Sequence, residues 1–259
     1  MMDYLEAIKK RCSIRSFIDE PLDEKIIDGL ADFLSGLRPP EQQVDWNFDT
    51  LPYDDMARIS AREPAVRAPH YLVLRCDSGF FGLQNAGYLG EYAALYLTDL
   101  GIATVWQGNI HVNPELDFIG SLRPVTVLAF GMSDLPFRSD PSQADRFPLD
   151  RIAGGEYGEI MPIMEAARLS PSSYNRQPWF FLAEDNRKIH IFRKVKRFTN
   201  SLTEYDQSVD AGVAIANVEA AAISLGYRPH TGRIKIGAPE RKGCKYQATV
   251  ILGDKGKKR

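Results

Sequence analysis

The sequence predicts an α+β fold of two pseudosymmetric halves, residues 1–150 and 151–259, packed as one unit. Two observations predict it. Helix and strand patterns follow one another in the same order in both parts of the chain. Between them lies a stretch loaded with breakers: Pro136, Pro141, Pro148, Gly154 and Gly155. The second observation is a shared register. Asn85-Ala86-Gly87 lies above Asp210-Ala211-Gly212, and Leu100-Gly101 above Leu225-Gly226, both at an offset of 125 (210 − 85 and 226 − 101). Common register and common order favour duplication over two unrelated Ala-rich helices.

In the first half, residues 4–11 and 24–37 carry apolar side chains at helical spacing: Leu5 and Ile8, then Ile26, Ile27, Leu30, Phe33, Leu34 and Leu37. Residues 71–75 form a β-rich run behind Pro69 and read as a strand. Residues 84–100 form a long helix rich in Ala, Leu and Tyr, closed by Gly101. Residues 125–130 read as a buried strand ending at Gly131. In the second half, 159–169 is a helix that tolerates Pro162 in its first turn. Residues 179–183 and 188–193 pair as strands, and 209–225 form a helix of the same length as the first, closed by Gly226. Residues 246–252 form the last strand.

Composition narrows the function classes. With 259 residues, 44% hydrophobic and 25% charged, the chain is long enough to bury a large core. A formal net charge of −2 argues against a nucleic-acid footprint, and the basic cluster Lys255, Lys257, Lys258, Arg259 reads as a solvated tail. Cys12, Cys76 and Cys244 form no CxxC pair, which fits a reducing cytoplasm. The N-terminus opens on Asp3, Glu6, Lys9, Lys10 and Arg11, so no signal peptide is expected, and no run is apolar enough to span a membrane. His70, His111, His190 and His230 are scattered, so no metal site is expected.

Three segments carry residue types suited to chemistry. Arg11-Cys12-Ser13-Ile14-Arg15-Ser16-Phe17 follows a helix; in an extended chain Arg11, Ser13 and Arg15 share one face, where two guanidiniums and a hydroxyl suit a phosphate or another electron-rich group. Solvated basic residues at a helix end fit the same pattern. Ser170-Pro171-Ser172-Ser173-Tyr174-Asn175-Arg176-Gln177-Pro178-Trp179 is a polar loop held between prolines. It can present hydroxyls, an amide and backbone N–H groups to a flat polar ligand, and it equally fits a helix-ending turn before a buried Trp. Thr104-Val105-Trp106-Gln107-Gly108-Asn109 places a Gly beside amides, where a ligand can approach the backbone closely, or simply carries a core Trp. No GxGxxG or P-loop occurs.

Together, RCSIRSF at 11–17, AARLSPSSYNRQPWFF at 166–181 and the two Ala-rich helices with Leu-Gly ends resemble the nitroreductase family. The resemblance implies mixed antiparallel sheets flanked by helices, and FMN as cofactor with NADH or NADPH as electron donor. It implies ping-pong reduction of a small acceptor such as a nitroaromatic or quinone; an FMN-binding protein with little or no turnover is the alternative. It implies that Arg11 and Ser13, with Cys12 between them, meet the phosphate and ribityl chain, and that Arg15 lies near N1 and O2 of the ring as the catalytic cation. Pro171, Ser172, Ser173 and Asn175 complete the site from the other half, Trp106, Gln107 and Gly108 pass its N5–O4 edge, and Arg146 closes on the phosphate. Ordinary members build each site across a homodimer. Here the arginine motif survives only in the first half and the Ser-Ser-x-Asn loop only in the second; the first-half counterpart, 37–46, keeps a Pro, a Gln and a Trp. The chain therefore resembles a fused pseudodimer, a monomer with one complete and one decayed site.

Overall fold

The computed structural model describes residues 2–60, 64–108, 122–195, 201–234 and 236–256. Asn109, His111 and the tail beyond 256 lie outside them.

The first half runs α1 (Tyr4–Lys10), α2 (Glu24–Ser35), β1 (Trp46–Pro52), α3 (Tyr53–Ile59), β2 (His70–Cys76), α4 (Phe80–Asp99), β3 (Ala103–Gly108) and β4 (Arg123–Gly131). Asp3 and Asp23 cap α1 and α2, each accepting a backbone N–H of the first turn. The second half runs α5 (Leu149–Ile152), β5 (Ala153–Gly155), α6 (Met161–Arg168), β6 (Trp179–Glu184), β7 (Lys188–Lys194), α7 (Ser201–Ser224), β8 (Pro229–Gly232) and β9 (Cys244–Leu252).

Sheet topology repeats. The first sheet has the order β1-β2-β4-β3, and the second contains β6-β7-β9-β8, every pair antiparallel. Each inner pair carries one register shift, at Leu74/Arg75 and at Ile191/Phe192. The second sheet gains an edge strand, β5, pairing parallel with β6. It belongs to the connection that follows β4, so the segment joining the halves supplies an edge of the second sheet.

The helices α4 and α7 cross between the sheets and are buried along most of their length, as their all-round apolar sequences require. Their closest approach is reciprocal. A Cβ on Gly87 would meet the Val209 carbonyl oxygen at 2.0 Å, and one on Gly212 the Gln84 carbonyl oxygen at 1.9 Å. Both pairs share one offset, 212 − 87 = 209 − 84 = 125.

Several expectations need correction. The two central helices differ in length, 20 against 24 residues, because α7 begins at Ser201, in a polar turn that lacks the apolar stripe used to place its start. The Trp106 segment is strand β3, and β1, α3, β5 and β8 were not anticipated. β1 and β8 contain Pro, Asn, Asp or Gly, residues that mark edge positions, and both are edge strands. No helix among the described residues is long and apolar enough to cross a membrane.

Candidate functional site

A cavity of about 550 Å³ opens between the halves. Of the residues singled out from sequence, Ser13, Arg15, Trp106, Gln107, Gly108, Pro171, Ser172 and Ser173 line it. Four others do not: Arg11, Cys12, Arg146 and Asn175 stand behind the wall.

The N-terminal arm reaches the cavity by running alongside β3. Ser13 bridges Thr104 in parallel, and the Ile14 N–H donates to the Thr104 carbonyl at 3.1 Å. Ser13 and Arg15 are exposed on the cavity side. Arg11 departs from the expected common face: it is the C-terminal cap of α1 and is buried, 3% exposed, whereas Ser13 and Arg15 are exposed. There its Nε lies 3.9 Å from the carboxylate of fully buried Glu91. Burial raises the Glu91 carboxyl against the opposing pull of Arg11, Trp106, Asn217 and Arg146.

Positive charge exceeds negative around Glu91. Burial, with the charge of Arg11 second, lowers Arg138 and Arg146 to about 10 each. Arg138 is spent on the end of α1, donating to the Lys9 and Ile8 carbonyls at 2.7 and 2.9 Å. Arg11 Nη1 and Arg146 Nε are buried without a hydrogen-bond partner among the described residues. Two guanidiniums with unused donors fit a phosphate.

The loop after α6 owes its shape to hydrogen bonds that hold it in sparsely populated backbone. Tyr174, Asn175 and Gln177 all have positive φ, at 53°, 53° and 47°. Gln177 N–H donates to Ser172 Oγ at 2.9 Å, and Gln177 Oε1 accepts from Phe147 N–H at 2.7 Å. Asn175 Oδ1 accepts from Arg146 Nη1 at 2.9 Å. Asn175 and Arg146, read as ligands from sequence, thus touch each other and tie the loop to the 145–147 connection. Cys12 is half-buried and does not line the cavity.

Sequence reasoning missed the α7 wall: Tyr205, Asp206, Val209, Asp210 and Val213. Tyr205 donates to the Val125 carbonyl of the first half. Burial pushes the Asp210 carboxyl up to about 7, and the Ser173 N–H donates to its Oδ1 at 2.8 Å. Helical spacing back from Asp210 could have found Asp206, one turn away on the same face.

A family model described as "Putative TM nitroreductase" matches residues 3–222. A curated protein of Methanothermobacter thermautotrophicus, described as "Putative NADH dehydrogenase/NAD(P)H nitroreductase", is 29% identical over 167 residues, spanning 58% of this chain and 86% of its own. A Thermotoga maritima crystal structure, described as a putative nitroreductase, superposes with a TM-score of 0.64 at 20% identity over 98% of this chain and 95% of its own. A Clostridium difficile structure described as an FMN-dependent nitroreductase gives a TM-score of 0.45 at 16% identity, over 56% of this chain and 95% of its own.

Proposed function

The chain belongs to the family described as "Putative TM nitroreductase", and from that premise we propose that it is an FMN-dependent oxidoreductase passing electrons from NADH or NADPH to a small acceptor, a nitroaromatic or a quinone. One observation carries the reading: Ser13 and Arg15 from the first half and Pro171–Ser173 from the second face one cavity within a single chain. The Methanothermobacter relative's name supports the nicotinamide donor.

FMN, when bound, supplies the two-electron chemistry between donor and acceptor. The chain's residues bind and polarise. Arg11 and Arg146, with their unused buried donors, hold the phosphate. Arg15 would supply a cation to the reduced, negatively charged ring. Trp106, Gln107 and Gly108 would face the cofactor from the first half and Ser172 and Ser173 from the second, with Asn175 holding Arg146 in place.

The halves then act as a fused pseudodimer. Repeated strand order and the reciprocal glycine crossing support a duplicated unit, with one flavin per chain and a monomer as the working unit.

The absorption spectrum of the purified protein, followed by chromatography of the released cofactor, tests the assignment. FMN at one per chain is expected, with NAD(P)H oxidation when menadione or a nitroarene is added. Released FAD, or failure to take up FMN, sinks it. FMN without turnover leaves a flavin-binding protein.

A further inference from the structure

Asp210 is 3% exposed and forms part of the cavity wall. Its Oδ1 accepts from the Ser173 N–H, whereas Oδ2 is buried and has no hydrogen-bond partner among the described residues. The other half shows what this position needs mechanically. At 210 − 125 = 85 stands Asn85, which ties the corresponding loop to α4 at both ends: Oδ1 accepts from Glu41 N–H at 3.2 Å and Nδ2 donates to the Glu41 carbonyl at 2.8 Å. An amide therefore anchors the loop fully. An acid at the same place gives up the second bond and leaves an acceptor at the cavity wall. Burying a carboxyl oxygen without a partner is costly, so anchoring does not explain the acid.

We propose that Asp210 Oδ2 accepts a hydrogen bond from a hydroxyl of the cavity's occupant and, resting on the FMN reading above, that this hydroxyl belongs to the ribityl chain. Asp206 extends the same wall one helical turn earlier, roughly 6 Å along the axis. A polyol suits such a wall, since successive hydroxyls can donate to successive carboxylates. The charged groups around Asp210 are Asp206 on its own helix, Arg176 on the loop and Arg15 in the lining of the same cavity.

The test uses the full chain stripped of bound flavin, the parent beside Asp210→Asn. Asn85 shows that an amide holds this loop, and a thermal melt checks that the variant folds. Each protein is titrated with riboflavin, which carries the polyol, and with lumiflavin, which has the ring alone. Riboflavin affinity should fall roughly ten- to hundredfold in the variant, as for loss of a charge-assisted hydrogen bond, while lumiflavin affinity stays unchanged. Riboflavin affinity of the parent should rise with pH as Asp210 ionises near 7, and the rise should be smaller in the variant, where only Asp206 remains on that wall. Unchanged riboflavin binding, or an equal loss of lumiflavin, overturns the proposal. A loss confined to reduced nicotinamide mononucleotide overturns the ribityl assignment and gives the hydroxyl to the donor's ribose. If the parent binds no FMN, the functional reading falls together with this inference; if the parent binds FMN and the variant matches it, only the inference falls.

Discussion

The two sides of the α4–α7 crossing share a strand order and a reciprocal glycine contact and differ in the side chains at corresponding positions. On α7 the cavity positions are Tyr205, Asp206, Val209 and Asp210; the same offset puts Phe80, Phe81, Gln84 and Asn85 on α4. Beside Phe80 and Phe81 stands Arg233, whose guanidinium lies 5.8 and 5.3 Å from their rings and 5.5 Å from Tyr246. Arg233 also donates to the Gln247 carbonyl at 2.8 Å and stands 3.9 Å from Glu41. One side is an open cavity whose α7 wall carries two acids; at the counterpart positions a cation stands beside aromatic rings. Shared topology thus fixes where a pocket can form, while side chains decide whether it binds anything.

The largest effect should come from what the halves share. Gly212→Ala places a Cβ 1.9 Å from backbone that cannot turn aside, so the helices must separate. A loss of about 3–5 kcal/mol in urea unfolding is expected. Gly87→Ala should cost a similar amount, because its contact is the mirror of the first at 2.0 Å. A neutral Gly87 variant would break the reciprocity on which the comparison stands.

That crossing was legible in the sequence because both helices are Ala-rich and end in Leu-Gly, a local signal of burial and capping. The composite cavity was legible because RCSIRSF and PSSYNRQPW are contiguous motifs. The α7 wall was not, because Tyr205 and Asp206 precede the apolar stripe and read as solvated polar residues until the fold turns them inward. The burial of Arg11 was not legible, because alternation along the chain says nothing of Glu91, the buried carboxylate beside which Arg11 packs. The placement of Arg233 left no trace, since a lone Arg after a short edge strand means nothing without its neighbours from α4.

Next in size come the arginines of the open side. Arg11→Ala should weaken FMN binding by roughly 1.5–3 kcal/mol through the lost phosphate contact. It should also destabilise the protein, because Glu91 is left buried without its nearest cation. Arg15→Ala should leave the melting temperature unchanged, as the residue is exposed, while lowering the flavin midpoint potential and slowing reduction by NAD(P)H. Equal effects from both substitutions would merge two roles that the structure separates by burial.

A smaller contrast is one of pH. Burial raises Asp210 to about 7, well above about 3.9 for an Asp in unfolded chain. The folded state therefore holds a proton that the unfolded state has released. The associated stability is complete below about pH 4 and is lost as pH rises to about 7. Glu91 and Asp206, also raised by burial, slope the same way. Asp210→Asn should flatten part of this slope in urea titrations at successive pH values, and Asn85→Asp should add a matching slope from the other half. An Asn85→Asp variant with the parent's pH profile would mean that the two helix positions are not equivalent in burial.

The smallest expected effect probes the counterpart side itself. Arg233 is partly exposed, its ion pair with Glu41 is long, and its ring contacts exceed 5 Å. Arg233→Ala should therefore cost only about 0.5–1.5 kcal/mol in urea unfolding. Clearing the guanidinium would not by itself create a second flavin site. The offset of 125 puts Pro136 and Asp140 where the first half has Arg11 and Arg15, and Arg151 is stacked on Phe147 at 3.7 Å. Flavin content measured by absorbance against protein mass should stay at one per chain. A rise toward two would show that Arg233 alone silences the counterpart side, and that the missing phosphate arginines are not needed to hold the cofactor there.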